Sequence, residues 1–513
     1  DANGRFAIAG VEPDAILVIS YVGYTPKEVK AGPNISVTLS PDKSDLNEVI
    51  VIGYGTQKKS EVTGSISNVK GSALADKPVA SFESALNGRA TGVNMTANDG
   101  VVNQAPTFRN RGTNSLSLSS YPLVVVDGVP MFTEDVNVGS NAANNPLSSI
   151  NTNDIESIDI AKDAAATSIY GSRAANGVVF ITTKSGKKGK AKFSYNAYYG
   201  SSKAARLAEV LNTAQYLEIK NEGLVNARTY NAVTNYYGTS LDKDGNVIDT
   251  RWYDYIFQTG QSQNHNVSLS GANDATKYYF SLGYTDKEGI LQGNDYNRKS
   301  VSYNIEHKVN NWLKVGSKTN YSNDITTAIL STGTGASSVS SNSVAYRLGF
   351  ITAPIVGPYN RDGSFNIIGP NVGIMDNAGH LTSTARLGYT NPALTLSAND
   401  DNTANNYVQS NVFADVNPFS WLTLRTVYGI NNMYSRTNRY FDPRSNEASS
   451  TNGRATGISA KREVSVWTNT ALLAKTFGKH SFDLLLGHEE QTSEGDQFGL
   501  TRTDQSDPYY TNL

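Results

Sequence analysis

From about Lys190 onward, apolar and polar residues alternate at every second position, in segments joined by connectors that are by turns short and long. A period of two puts successive side chains on opposite faces of a strand, so each segment carries one apolar and one wet face. Phe193, Tyr195, Ala197 and Tyr199 share a face opposite Ser194, Asn196 and Tyr198. Tyr278, Phe280, Leu282 and Tyr284 share another. Val301, Tyr303 and Ile305 oppose Ser302, Asn304 and Glu306, while Leu313 and Val315 oppose Lys314 and Gly316. Val464 and Val466 flank Ser465 ahead of Trp467, with Phe482, Leu484 and Leu486 following. The connectors at Val309–Trp312 and Val416–Trp421 read as tight turns, and those from Asn323 to Ser343 and from Asn431 to Lys461 as long polar loops. Segments of roughly ten residues, with tight turns at one end and long loops at the other, describe a transmembrane antiparallel β-barrel. A soluble sandwich also alternates, but the loop asymmetry favours the barrel. Trp312, Trp421, Tyr321 and Tyr428 lie near expected strand ends, where an aromatic girdle sits.

Composition supports the same class. Only 38% of the 513 residues are hydrophobic, against roughly 45–50% in soluble globular domains. Disorder lowers that fraction too, but disordered chains are poor in aromatics, and this one has 29 Tyr, 16 Phe and 44 Gly. Lys and Arg total 44 against 46 Asp and Glu, a balance that offers nothing to a polyanion, so no nucleic-acid partner is expected. Absence of cysteine excludes disulfides, thiolate metal sites and a cysteine nucleophile. No run approaches the ~18–20 apolar residues of a membrane helix. The chain opens on the turn-like Asp1-Ala2-Asn3-Gly4 instead of a charged leader.

The first 186 residues are organised differently. Residues 1–40 read as short strands at Phe6–Ile8, Ala15–Ser20 and Ile35–Leu39, too few for a stable sandwich. Residues 41–57 carry a polar run, Asp42 to Asn47, into the β-branched Val49-Ile50-Val51-Ile52, a segment of high strand propensity with no sequence-adjacent partner expected. Residues 58–186 mix elements. Phe82–Leu86 reads as a short amphipathic helix, Leu123–Val126 as a buried strand closed by Asp127-Gly128, and Ile155–Ile160 as an alternating strand. Lys162–Tyr170 reads as a helix ending at Gly171, and Val178–Thr183 as a further strand, together a compact α+β unit.

Several stretches resemble SusC/RagA-type TonB-dependent outer-membrane transporters. Leu46 to Lys59 is similar to the family's TonB-box region, with Glu48, Val49, Ile50, Val51 and Ile52 as the box. Phe108-Arg109-Asn110-Arg111-Gly112, Pro122 to Pro130 with Asp127-Gly128, Asn153 to Ile158, and Ile169 to Val179 with Gly171, Arg173 and Gly177 resemble the plug signature in order. The stretch through Tyr21-Val22-Gly23-Tyr24 is similar to the end of a carboxypeptidase-regulatory-like domain. The resemblance implies a mainly β protein in four parts. Residues 1–40 are the C-terminal part of that β-sandwich and 41–57 the linker with the TonB box. Residues 58–186 form an α+β plug domain and 187–513 the N-terminal portion of a transmembrane β-barrel. Family barrels have about 22 strands, the plugged-lumen class, so truncation at both ends is expected.

The implied activity is energy-coupled import of a nutrient across the outer membrane, usually a glycan oligosaccharide and sometimes a peptide. The implied partners are TonB with its inner-membrane energising complex, a SusD-like surface lipoprotein, the ligand and outer-membrane lipid. With no energy source in the outer membrane, the box would add as a strand to a sheet edge on TonB. Arg109, Arg111 and Arg173 would lie in or under the plug, with Asp127, Asp159 and Asp163 as candidate partners for buried guanidinium groups. Gly112, Gly128, Gly171 and Gly177 would serve turns and helix ends. Enzyme readings fare poorly. His265, His307, His380, His480 and His488 are scattered, and His488-Glu489-Glu490 is not a HExxH zinc motif. Asp242-Lys243-Asp244-Gly245-Asn246 lacks the downstream glutamate of a calcium loop and reads as a hairpin turn. No cofactor, metal or catalytic residue is expected. Two rival classes are a surface adhesin on a barrel scaffold and an importer of siderophores or vitamins.

Overall fold

The computed structural model describes residues 15–19, 27–32, 35–39, 49–52, 55–58, 64–75, 81–96, 101–113, 120–133, 144–163, 167–232, 236–329, 345–368, 371–372, 391–445, 447–478 and 480–507. Near the N-terminus, β1 (Ile16–Ile19) pairs antiparallel with β2 (Lys27–Lys30), and β3 (Val49–Ile52) with β4 (Gly55–Lys58). Ile35–Leu39, expected as a strand, alternates in exposure but pairs with nothing among the described residues. A strand needs a partner edge. Phe6–Ile8 lies outside the described residues.

The α+β unit is built on β5 (Ile66–Lys70), β6 (Val93–Thr96), β7 (Thr107–Asn110), β8 (Leu123–Val126), β9 (Val129–Pro130), β10 (Ile155–Ala161) and β11 (Val178–Thr183). Five of these form a mixed sheet in the order β5-β10-β11-β8-β9, and β6 pairs with β7. One sheet face buries Val124, Val126, Ile158, Ile160, Val179 and Ile181 against Leu74, Phe82, Leu86 and Phe108. The other packs Val125, Ala161, Val178 and Phe180 against Tyr170 and Ala174. With both faces covered, β10 is buried almost throughout instead of exposing alternate residues. A bulge between Ile155 and Ser157 shifts the parity, so Ile155 joins Ile158 and Ile160 in one core while Asp159 points the other way, fully buried. Residues 164–166 of the helix expected over Lys162–Tyr170 lie outside the described residues; its last part belongs to a 3-10 segment, Ser168–Ala174, kinked at Gly171 (φ 57°, ψ −143°) instead of ending there.

Nine long strands follow: β12 (Gly189–Ser202), β13 (Gly260–Ala272), β14 (Thr276–Glu288), β15 (Asn294–Lys308) and β16 (Leu313–Ala328). After a small hairpin, β17 (Ile367–Ile368) with β18 (Asn371–Val372), come β19 (Asp400–Phe419), β20 (Leu422–Phe441), β21 (Arg454–Phe477) and β22 (His480–Thr503). They form one antiparallel sheet in sequence order from β12 to β22. The strands run from 13 to 24 residues, longer than the roughly ten expected and than the ~9–11 needed to cross a bilayer. The excess extends β16, β20 and β21 into stretches read from sequence as loop, so the long connector expected from Asn431 to Lys461 shrinks to residues 442–453. One end of the sheet carries the tight turns 273–275, 309–312, 420–421 and 478–479; the other carries 203–259, 289–293, 329–399 and 442–453. Within the long loops, a helix at Thr213–Asn226 opens on a capping box of Asn212 and Gln215, and Trp252 is buried with Ala353, Ile355 and Val356.

The two faces of the sheet match the alternation. On β15, Asn294, Tyr296, Arg298, Ser300, Ser302 and Asn304 are buried inward, while Tyr303 and Ile305 are exposed on the outer face. Phe193, Tyr195, Phe280, Leu282, Trp312, Tyr321, Trp421, Tyr428 and Trp467 are all exposed large apolar groups, as lipid-facing band and girdle residues are. Val464 and Val466 are buried, on the face opposite the exposed Trp467.

Candidate functional site

The inner face of the sheet grips the α+β unit through polar side chains, and that interface is the functional candidate. The hairpin β8–β9 turns on Asp127 (φ 49°) and Gly128 (φ 90°), a tight turn in which glycine relieves the strain of the left-handed backbone. The Asp127 carboxylate accepts from Thr183 Oγ1 at 2.5 Å and from the Lys318 ammonium of β16 at 2.7 Å. Gln409 donates to Val126 O at 3.0 Å, Asn411 to Asp127 O at 2.9 Å and Asn431 to Pro130 O at 3.2 Å. Asp154 accepts from Tyr279 at 2.7 Å and Ser302 at 2.9 Å. The segment 144–150 is held too: Asn144 accepts from Tyr407 at 2.6 Å, and Arg298, 3% exposed, donates to the carbonyls of Ser148 and Ile150. Asn304 reaches Lys184 O at 2.5 Å, and Val102 N donates to Asn294 Oδ1 at 2.8 Å.

Most of these wall donors take main-chain carbonyls of the inner unit. Amide and guanidinium groups can satisfy such carbonyls without displacing their own strand pairing. The contacts named are hydrogen bonds and an ion pair, and water can replace each of them in turn if the surfaces part.

Residues 58–178 match the TonB-dependent Receptor Plug Domain family. TonB-dependent receptor SusC of Bacteroides thetaiotaomicron is 37% identical over 306 residues, covering 60% of this chain and 29% of the relative. TonB-dependent receptor P3 of Formosa agariphila is 31% identical over 525 residues, covering 100% of this chain and 47% of the relative. Among solved structures, the RagAB peptide importer in the open-open state aligns with TM-score 0.72 and 27% identity, over 90% of this chain and 51% of the importer chain. The chain belongs to the SusC/RagA-type TonB-dependent transporters. It spans less than half the length of the curated relatives it matches.

In this SusC/RagA-type chain the inner unit is the plug, the long-stranded sheet is part of the outer-membrane barrel wall, and the loops 203–259 and 329–399 share one end of it. The TonB-box candidates Val49–Ile52 form β3; Glu48 lies outside the described residues. Contrary to the expectation of no adjacent partner, Ile52 faces Gly55 and Val49 faces Lys58 across a hairpin. The β-branched run found the nearest extended segment, and a two-stranded sheet still leaves the outer edge of β3 unpaired by β4.

The plug arginines depart from expectation. Arg109 and Arg111 are exposed, not buried. Arg173, with a side chain 40% exposed, pairs at 2.9 Å with Glu489 of β22 and also meets Gln491. None of the three takes Asp127, Asp159 or Asp163 in the contacts described: Asp127 holds Lys318, Asp159 accepts from Asn68 at 2.6 Å, and Asp163 from Ser65 N at 2.5 Å. The deeply buried guanidinium is that of Arg298 on the wall. Gly112, Gly128, Gly171 and Gly177 all have positive φ. At Gly177 a Cβ would also meet Asn110 Nδ2 at 2.3 Å and Ala161 O at 2.9 Å. The Asp242 loop is a hairpin turn, its carboxylate accepting from the amides of Asp244 and Asn246.

Sequence reading missed the wall partners Lys318, Gln409, Asn411, Arg298 and Glu489. Their signal was polar residues at every second position, as in Asn405, Tyr407, Gln409 and Asn411. It also missed Glu83, a fully buried carboxylate that accepts from Tyr121 at 2.9 Å and Asn145 at 3.2 Å. Burial raises its pKa above the ordinary value, opposed by hydrogen bonds from Ser81, its own backbone, Tyr121 and Asn145. Burial, with Glu83 beside it, drives Tyr121 upward as well. Glu83 thereby ties the helix Phe82–Leu86 to the segment that grips the wall.

Proposed function

We propose that the full-length protein imports a nutrient across the outer membrane by TonB-dependent, energy-coupled transport, with a SusD-like lipoprotein over its extracellular mouth. The observation that carries this reading is a folded plug held inside a lipid-facing wall by exchangeable polar bonds, with a strand-forming tether just ahead of it. TonB takes the edge of β3 that no other described strand pairs, by strand addition, and alternate side chains of residues 48–52 give the choice of partner. Force then reaches β5, an edge strand of the plug sheet held to β10 over five paired positions from Ser157↔Lys70 to Ala161↔Ile66. Peeling an edge breaks its bonds one at a time, so residues 64–96 yield before the wall-held remainder. The segmentation into residues 1–40, 41–57, 58–186 and 187–513 belongs to the same reading.

The substrate class that follows from the family resemblance is a glycan oligosaccharide. A peptide is the second reading, favoured by the 27% identity to RagAB, a peptide importer. Growth of a deletion strain on single glycans or on peptides separates the two. Deleting residues 48–52 from the full-length protein abolishes uptake while ligand binding persists. Uptake that survived the deletion would refute the energy coupling.

A further inference from the structure

We propose that the joint between the plug hairpin and the wall is a binding site for a single water molecule. A chamber of about 20 Å³ lies there, lined by Asp127 and Asp154 of the plug and by Tyr279, Lys318, Gln409 and Asn411 of the wall. Two of its lining groups have unmet hydrogen-bonding capacity. Gln409 and Asn411 are 7% and 5% exposed. Their amide nitrogens donate to Val126 O and Asp127 O, which fixes the orientation of both groups. Gln409 Oε1 and Asn411 Oδ1 are then left buried without a donor among the described residues. Two buried acceptors at one joint call for a donor.

The chamber decides which donor. One water needs about 10–15 Å³ of such space and two to four polar partners, so the space has room for one molecule. A metal cation is disfavoured, because the Lys318 ammonium lines the same space and already neutralises Asp127 at 2.7 Å. An anion is excluded by the carboxylates of Asp127 and Asp154. Water alone is neutral, small enough and able to donate twice while accepting from Lys318. The site does not rest on the proposed transport.

The test is a structure of the full-length protein at a resolution that shows ordered solvent. The expected result is one peak within about 2.7–3.2 Å of both Gln409 Oε1 and Asn411 Oδ1. A chamber without density, or a peak ringed by oxygens at about 2.3–2.6 Å as for a bound cation, overturns the proposal. The Gln409→Met, Asn411→Leu double variant supplies the control. Its peak disappears while the Asp127–Lys318 pair stays in place; a peak that persists shows that these oxygens do not hold it. If the variant does not fold, the parent map decides alone. Transport assays play no part, so failure here is distinct from failure of the transport reading.

Discussion

The two parts of the plug are fastened to different things. In the part nearest the tether, Ser65, Ser67, Asn68, Glu83, Arg89 and Thr91 all bond to other plug residues. In the part from Val102 to Lys184, the described bonds reach β14, β15, β16, β19, β20 and β22. Both parts share one sheet, yet β5 sits at its edge and β10 and β11 in its middle. A load entering from residue 58 therefore meets plug-internal bonds first and wall bonds last. The difference teaches that a tightly seated stopper and a removable one can be the same domain, provided its seat and its handle fall on different strands.

The largest effect expected comes from locking each part in turn, and these 513 residues hold no cysteine of their own to compete. Val69 and Ile158 face each other across β5 and β10, where antiparallel partners stand about 4.5–5.5 Å apart, within disulfide reach. Oxidised Val69→Cys, Ile158→Cys full-length protein takes up substrate only at background level, and reductant restores it. Val129 Cβ lies 3.5 Å from a Cβ built on Gly429, also disulfide geometry. Oxidised Val129→Cys, Gly429→Cys protein keeps its uptake, because it locks a part that stays seated. Equal loss in both variants means the whole plug moves, and the comparison fails.

Next in size is the wall bond of the seated part. Lys318→Met leaves the Asp127 carboxylate, 8% exposed, without its cation. It loosens the hairpin by about 3 kcal/mol, the usual order for breaking a buried pair from one side. Hydrogen exchange at the amides of residues 123–129 reads the change, and adding Asp127→Asn recovers most of it. Smaller, and confined to the junction of the two parts, is Glu83. Its pKa is raised in the folded plug, so the protonated form carries no penalty at low pH. Stability falls as pH rises from the unfolded value near ~4.3 through the higher folded value. Glu83→Gln keeps an acceptor for Tyr121 and Asn145 and flattens that slope, whereas Glu83→Leu removes the acceptor and costs about 1–3 kcal/mol. Thermal melts across pH check both, and an unchanged slope in Glu83→Gln places the titration elsewhere.

The unequal legibility of these parts in the sequence has a physical cause. Period-two alternation showed the wall strands, because lipid on one side and polar groups on the other leave opposite marks on successive residues. Strand ends were not legible, since beyond the membrane both faces turn polar and the contrast fades, as at Asn431 and Lys461 within β20 and β21. In the plug, motif order located the turns at Gly128 and Gly177, where backbone geometry restricts the side chain. The seat itself was hidden because the wall reads plug carbonyls at Val126, Asp127, Ser148 and Lys184, which every residue type possesses. The arginines are the converse case: the motif resemblance suggested buried pairs with Asp127, Asp159 and Asp163, but Arg109 and Arg111 are exposed in this chain.

The smallest effect is expected at the ion pair made by the plug-motif residue Arg173. Arg173 meets Glu489 at 2.9 Å with side-chain exposures of 40% and 12%, so solvent screens the guanidinium and the pair is worth about 1 kcal/mol or less. Arg173→Gln therefore shifts plug exchange only slightly, leaves uptake within about twofold, and responds to salt as an exposed pair does. Lys318→Met, by contrast, is nearly insensitive to salt, because Asp127 is enclosed. If Arg173→Gln instead loosened the plug as much as Lys318→Met, the anchoring of the seated part would extend to β22 with equal strength, and the hairpin at Asp127 would no longer mark its centre.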